Sequence, residues 1–369
     1  MKRPIIGILT WREGRKFAEP VYFRKMIQAG DELGCTVFLF SPADVLANGK
    51  QVRGFLPTKK GWQPRMFPRP DAVIDRYRYS PGPAFKQYVA FRKASDFLYA
   101  NNRLANKWKV HEVLWKDTKM HPWLPETVLY NQVNLERMLR RHAMIYVKPV
   151  NGTGGRNILS VEKKMNGYQL LGRDAQRSRV STQLGQLASV QNKVKKWATR
   201  DRYIVQQGLH LDLVPDRAVD MRLLIQKDGE GQWRITGAGM RVGGAKSATS
   251  NLHGGGKAVL ARTFLTRHFG EQRTAAILAD CERLAFQTVE TIENHFGRMM
   301  EMGLDIGIDV EGNAWLIEVN PKPGREIFRE MGQSRQYKEA IQRPIQYAMF
   351  LAGFPFAPKT AGTTDKAAR

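Results

Sequence analysis

Residues Leu304–Arg325 read LDIGIDVEGNAWLIEVNPKPGR, and how this stretch is read decides the fold. Two apolar, β-rich runs flank Glu311–Asn313, so the stretch is a hairpin with its turn at those residues. Side chains two apart in a strand face the same way. Glu318 and Asn320 are therefore expected to share a face with Leu316, leaving Trp315, Ile317 and Val319 on the other. On the first strand Asp305, Gly307 and Asp309 line up by the same rule. A lone acid near a strand end reads as a solvated cap. Acids on both strands of a hairpin of buried type, followed by NPKPGR, read instead as hard oxygen ligands. Such a set suits Mg2+, which keeps some waters and takes one or two carboxylates together with substrate phosphates.

Working outward, the stretch IYVKPVNGTGGRNI places Lys148 at a strand end, directly before a turn with Gly152, Gly154 and Gly155. Glycines let backbone N–H groups approach phosphate oxygens, and Lys148 supplies a point charge beside them. No GK[ST] closes the loop, which excludes a Walker motif, and the glycine spacing is not that of a dinucleotide fingerprint.

The rest of the chain alternates strands and helices. IIGILT and TVFLFS are short strands around the helical PVYFRKMIQAGDELG, which closes at Gly34, and AVIDRY is a further strand. A helix with an Asn cap is expected in NNRLANKWKVHEVLWKD, a strand in LPETVLY and a helix opened by Asn134 in NLERMLRRH. LGQLASVQNKVKKWATR reads as a helix and YIVQQGLHL as a strand. VDMRLLIQKDGEGQWRITGAGMRVGG is a long hairpin turning at KDGEG, and NLHGGGKAV a loop. Ile277, Cys281, Leu284, Val289, Ile292 and Phe296 form one buried stripe of a helix, and IFREMGQSRQYKEAIQ is helical. This organises the chain as an α/β domain over 1–100, a second domain over 101–355 split near 205/206, and a disordered tail at 356–369.

Composition bounds the partners. The chain has 369 residues, 42% apolar and 25% charged, with 59 Lys and Arg against 34 Asp and Glu, a net +25. The excess favours acidic partners. Its basic residues are dispersed, and no zinc-finger, helix-turn-helix or ribonucleoprotein pattern is present, so nucleic acid is not expected as the main partner. No apolar run spans a membrane and no signal-peptide cleavage pattern follows the N-terminus. Cys35 and Cys281 lack metal spacing and read as core thiols of a reducing, cytoplasmic setting. Of the eight tryptophans, Trp11, Trp62, Trp108, Trp115, Trp123, Trp197 and Trp233 read as packing residues.

A lysine strand with a glycine hairpin, then a glutamine-rich linker strand, then Asp…Glu-x-Asn on a late hairpin, resembles the ATP-grasp ligases over about residues 101–326. With GILTW, FPRPDAVIDR, NKWKVHEVL and DMRLLIQ, the chain looks similar to the endospore-coat-associated YheC/YheD family. The resemblance implies an ATP-grasp fold preceded by an N-terminal pre-ATP-grasp α/β domain. ATP and Mg2+ (or Mn2+) would be its cofactors, with an acidic small molecule or peptide as substrate and an association with spore-coat components. It implies a carboxylate–amine or thiol ligase working through an acyl phosphate, the alternative being a non-catalytic nucleotide-binding or structural coat protein. By position, Lys107 (with Lys109 the alternative), Lys148, Gly152, Thr153, Gly154, Gly155 and the linker Gln206, Gln207, Gly208 and Leu209 would hold the nucleotide. The linker has glutamines where many members of the superfamily carry a glutamate. Asp305, Glu318 and Asn320 would hold the metal, with Asp309 ranked second. Arg222 and Arg325 would contact the transferred phosphate or the acid substrate. Arg222 also has a structural reading, as an ion pair with Asp220 or a neighbour; Arg241 could join it. His253 reads as an incidental loop histidine or a proton acceptor.

Overall fold

The structure is a computed structural model that describes residues 3–47, 49–78, 82–151, 156–198, 202–215, 217–244 and 256–354. The chain forms two compact units. One comprises the residues up to Asn102 with Gln226–Arg234 and those from Lys338; the other comprises Arg103–Ile225 with Ile235–Tyr337. This grouping differs from the linear division expected at residue 100, because segments distant in sequence close the first unit. The amide of Gln226 donates to the Ala340 carbonyl (3.1 Å), and Gly231 packs against the Phe350 ring.

The first unit contains β1 (Ile5–Leu9), the small hairpin β2 (Arg12–Glu13) and β3 (Lys16–Phe17), α1 (Pro20–Glu32), β4 (Thr36–Phe40), β5 (Gln51–Thr58), β6 (Gly61–Pro68), β7 (Ala72–Asp75) and α2 (Pro83–Ala94). Its sheet runs β6-β5-β4-β1-β7, with β1 parallel to both β4 and β7. The apolar runs of β1 and β4 are buried nearly throughout, as both-face-covered parallel strands require. Gly34 follows α1 at φ +77°, a conformation that costs glycine nothing. The core joins Leu9, Phe38, Phe40, Val52, Val73, Tyr77 and Tyr88.

The second unit opens with α3 (Lys107–Lys116), capped by Asn106, whose side chain accepts from the Lys109 amide (3.0 Å). A 3-10 turn, β8 (Thr127–Leu129) and α4 (Gln132–Arg141) follow. The α4 cap is Asn131, three residues before the expected Asn134. Its side chain accepts from the Asn134 amide (2.7 Å), and Asn134 lies inside the first turn. Strands β9 (Met144–Pro149), β10 (Ile158–Lys164), β11 (Gly167–Arg173) and β12 (Arg179–Leu184) precede α5 (Leu187–Trp197) and β13 (Tyr203–Gln207). Strands β11 and β12 carry no separate signal in the sequence, because their polar exposed positions lack a strong apolar alternation. The sheet order is β12-β11-β10-β9-β13-β8. One face buries Ile145, Val147, Leu159, Val161, Leu170 and Val205 against α4 and α5, so Lys148, Tyr146 and Gln206, alternate with these, lie on the other.

A second sheet, β16-β15-β14-β17-β18, is built from β14 (Val219–Lys227), β15 (Trp233–Val242), β16 (Lys257–Leu260), β17 (Glu301–Ile308) and β18 (Ala314–Asn320). Lys257–Leu260, of which Lys257–Val259 were expected within a loop, pairs with Gly239–Val242 as an edge strand. The striped helix is α6 (Ala261–Phe296), longer than its stripe and kinked at Gly270 (φ +73°). The last helical stretch divides into α7 (Glu326–Glu330) and α8 (Ser334–Leu351), separated at Gly332 (φ +70°). The tail expected to be disordered at 356–369 lies outside the described residues. Among those described, no helix is long and apolar enough to cross a membrane.

Candidate functional site

The geometry begins at the β17–β18 register. Gly303 stands opposite Asn320, Leu304 opposite Val319 and Asp305 opposite Glu318; beyond a bulge, Ile306 faces Leu316. Continuing the Ile306–Leu316 register would pair Asp305 with Ile317 and leave Glu318 beside Leu304, on the core side. The extra residue in β18 turns Glu318 to the face of Asp305, Gly303 and Asn320. It also corrects the expected placement of Leu316, which pairs with Ile306 in the core at 4% exposure.

Asp309 does not join this face. Its carboxylate accepts from the amides of Glu311 (3.0 Å) and Asn313 (2.8 Å) and from the Trp315 indole N–H (2.9 Å). It organises the turn. Asp305 lies on the strand, 2.6 Å from Arg222 Nε, with Arg222 Nη2 donating to its Oδ2 (3.2 Å) and Arg241 Nη2 also 3.2 Å from Oδ2. Arg241 in turn makes a two-pronged pair with Asp220 (2.6 and 2.5 Å). Arg222 is therefore paired with Asp305, and Asp220 with Arg241. Burial disfavours the Arg241 charge, but Asp305 and Asp220 outweigh it and hold the guanidinium protonated above its usual range. Gly303 leaves room for this group, since a Cβ there would lie 3.1 Å from Arg222 Nη1 and 2.7 Å from Pro323.

Arg325, expected at the substrate, is 3% exposed and buried in an ion pair with Glu301, and it donates also to the Pro323 carbonyl. This corrects its expected role: the guanidinium is held inside the protein, where it organises the NPKPGR turn.

Two lysines approach the acidic face. Lys107, at the start of α3, places Nζ 3.5 Å from Glu318 Oε1, whereas Lys109 pairs with Glu112 on its own helix (3.6 Å). Lys148 donates to the Gln206 side-chain oxygen (2.7 Å) and sits 4.9 Å from the Tyr146 ring centre. Burial and then the neighbouring Lys107 charge push its pKa down to about 8, with Glu318 acting in the opposite sense.

The linker is tied into the sheet. Gln206 is 8% exposed, and Gln207 accepts from the Glu126 amide through its side chain (3.1 Å). Gly208 donates to the Met144 carbonyl (2.8 Å), and a Cβ there would meet the Met144 carbonyl carbon at 2.8 Å. The Leu209 carbonyl accepts from Leu211 (3.0 Å). Gly152, Thr153, Gly154, Gly155 and His253 lie outside the described residues. Among the described residues no three His, Cys, Asp or Glu side chains converge, so the candidate metal set is two carboxylates and an amide. Thr127 belongs to these networks and went unnoticed in the sequence, whereas Asp220, named there as a possible partner of Arg222, pairs with Arg241 instead.

Residues 96–351 match the YheC/D-like ATP-grasp family. This chain belongs to that family. Two Bacillus subtilis (strain 168) relatives of the YheC/D-like chain are the endospore coat-associated proteins YheD and YheC. YheD is 24% identical over 360 residues, covering 95% of this chain and 79% of YheD. YheC is 24% identical over 347 residues, covering 90% of this chain and 93% of YheC. Among solved structures, D-cycloserine synthetase DcsG superposes with a TM-score of 0.56 at 11% identity, covering 95% of this chain and 99% of DcsG. The α/β architecture is the ATP-grasp fold.

Proposed function

We propose that this chain is an ATP- and Mg2+-dependent ligase that joins a carboxylate to an amine or thiol through an acyl phosphate, in association with the endospore coat. The observation that carries the reading is the convergence of Lys107 and Arg222 on one acidic face formed by Asp305, Glu318 and Asn320, within a chain of ATP-grasp fold. The donor set is all oxygen, as Mg2+ prefers, although Asp305 Oδ1 already faces Arg222 Nε at 2.6 Å. Glu318 and Asn320, with Asp305, would hold the metal. When bound, it would offset charge on the β- and γ-phosphates.

A carboxylate oxygen attacks the γ-phosphorus, the bond to the β-phosphate oxygen breaks and ADP leaves. The nucleophile then attacks the acyl carbon, expelling inorganic phosphate. Lys107, Lys148 and Arg222 supply positive charge where phosphate charge spreads, and little covalent help from protein is needed. The acceptors and donors left in the linker backbone would meet the adenine, because the Gln206 and Gln207 side chains are already engaged. A second reading is a coat protein that binds nucleotide without turnover; the names of the two relatives support the coat association common to both readings.

A thermal-shift titration with ATP, ADP and GTP, with and without Mg2+, tests the site. A ligand bound only by the folded state raises Tm by mass action. The expected outcome is a Mg2+-dependent rise for ATP that is lost in Glu318→Gln. No shift with any nucleotide would reject the ligase reading; a shift with no ADP release across acids and amines would favour the coat-protein reading.

A further inference from the structure

We infer that Gln206 is a positioning residue that, oriented by Thr127, holds the Lys148 ammonium ready for the phosphates of a nucleotide; this rests on the ATP-binding reading above. The orientation follows from proton counting. The Thr127 hydroxyl has one hydrogen, and it donates it to the Pro125 carbonyl (2.9 Å). Its oxygen can then only accept, and what it accepts is the Gln206 Nε2 hydrogen (3.0 Å). The amide nitrogen of Gln206 is thereby fixed toward Thr127, and its carbonyl oxygen is left facing Lys148 at 2.7 Å. A flipped amide would set an NH2 against an ammonium.

The sheet makes this arrangement rigid. Gln206 lies on β13 between β9 and β8, directly opposite Thr127 on one side and Tyr146 on the other, with Lys148 one diagonal step away. Both Gln206 and Thr127 are more than nine-tenths buried. A glutamine suits this particular network for a chemical reason. Glutamate at this position would oppose one acceptor with another at Thr127 and place a full negative charge on Lys148. The neutral carbonyl orients the ammonium and leaves its charge for a ligand. The other charged groups acting on Lys148 are Lys107 of α3 and Glu318 of β18.

The test measures Kd for ATP and for adenosine on the full chain, in wild type, Gln206→Glu, Thr127→Val and Thr127→Ser. Gln206→Glu and Thr127→Val should each weaken ATP about tenfold, the cost of one charge-assisted contact, with adenosine changed less than twofold. Thr127→Ser keeps the hydroxyl and should stay within twofold of wild type for both. Equal losses for ATP and adenosine, or no loss of ATP, would overturn the assignment. The Lys148 ε-carbon chemical shift provides a readout without nucleotide and remains informative if Thr127→Val fails to fold. Its titration midpoint should rise by a unit or more in Gln206→Glu, and an unmoved midpoint would overturn the positioning role. A wild type that binds no nucleotide while this midpoint still moves would reject the ATP reading and leave the contact standing.

Discussion

At the scale of single residues, the site balances its charges internally. Glu318 meets Lys107, Asp305 meets Arg222 and Arg241, and Asp220 meets Arg241, so a ligand enters a site whose groups are already placed. Lys148 stands apart, because its closest partner is a neutral amide. Its pKa, about 8 in the folded chain, lies below the ordinary lysine value of 10.5. The sign follows: the folded state disfavours the proton, so this group's penalty to stability is fully present below pH 8 and disappears as pH rises toward 10.5. Phosphate requires the charged form. ATP affinity is therefore expected to fall as pH rises through about 8, and Lys148→Arg, always charged, should flatten that fall. Calorimetric titrations at pH 7 and 9.5 check it; identical slopes for both proteins would show that Lys148 does not meet phosphate.

At the scale of elements, the β17–β18 hairpin divides its acids between two tasks. Asp309 closes the turn through two backbone amides and an indole, while the bulge at Ile317 delivers Glu318 to Asp305. The two tasks should separate by mutation. Asp309→Ala is expected to destabilise the fold by about 1–3 kcal/mol, the cost of stripping partners from turn donors, with Mg2+-ATP affinity preserved. Chemical denaturation and a binding titration on the same variant decide it; a loss of metal-dependent binding with unchanged stability would return Asp309 to the metal set. The Arg325–Glu301 pair shows the same division: the arginine after NPKPG is spent on holding the segment between β18 and α7.

At the scale of the whole molecule, the net +25 is the excess of 59 bases over 34 acids spread along the chain, and ion pairs such as Arg12–Asp44, Arg76–Glu19 and Arg241–Asp220 leave that excess unchanged. A diffuse excess attracts polyanions without selecting among them. Duplex DNA should bind at 50 mM salt and release by 200 mM, equally in wild type and Glu318→Gln, whereas Mg2+-ATP binding should persist at the higher salt in wild type alone. DNA binding that survives 200 mM salt would require a dedicated nucleic-acid surface.

The sequence by itself determined the strands and helices with strong periodicity, the glycine that ends α1, the order of motifs that identifies the ATP-grasp fold, and the residue types gathered on the late hairpin. These are local properties: hydrophobic period, turn chemistry and spacing act over a few residues. Tertiary structure decided the rest. A one-residue bulge reversed the face assigned to Leu316, and register, unlike alternation, depends on the partner strand. Strands β11 and β12 and the edge strand β16 were hidden because pairing across the sheet, more than their own composition, makes them strands. Arg325 and Arg222 looked alike in sequence, yet Glu301 buries one and Asp305 orients the other. The amide of Gln206 acquired its direction from Thr127, 79 residues earlier in the chain, since a hydrogen bond's polarity is set by whichever proton its neighbour has left to give.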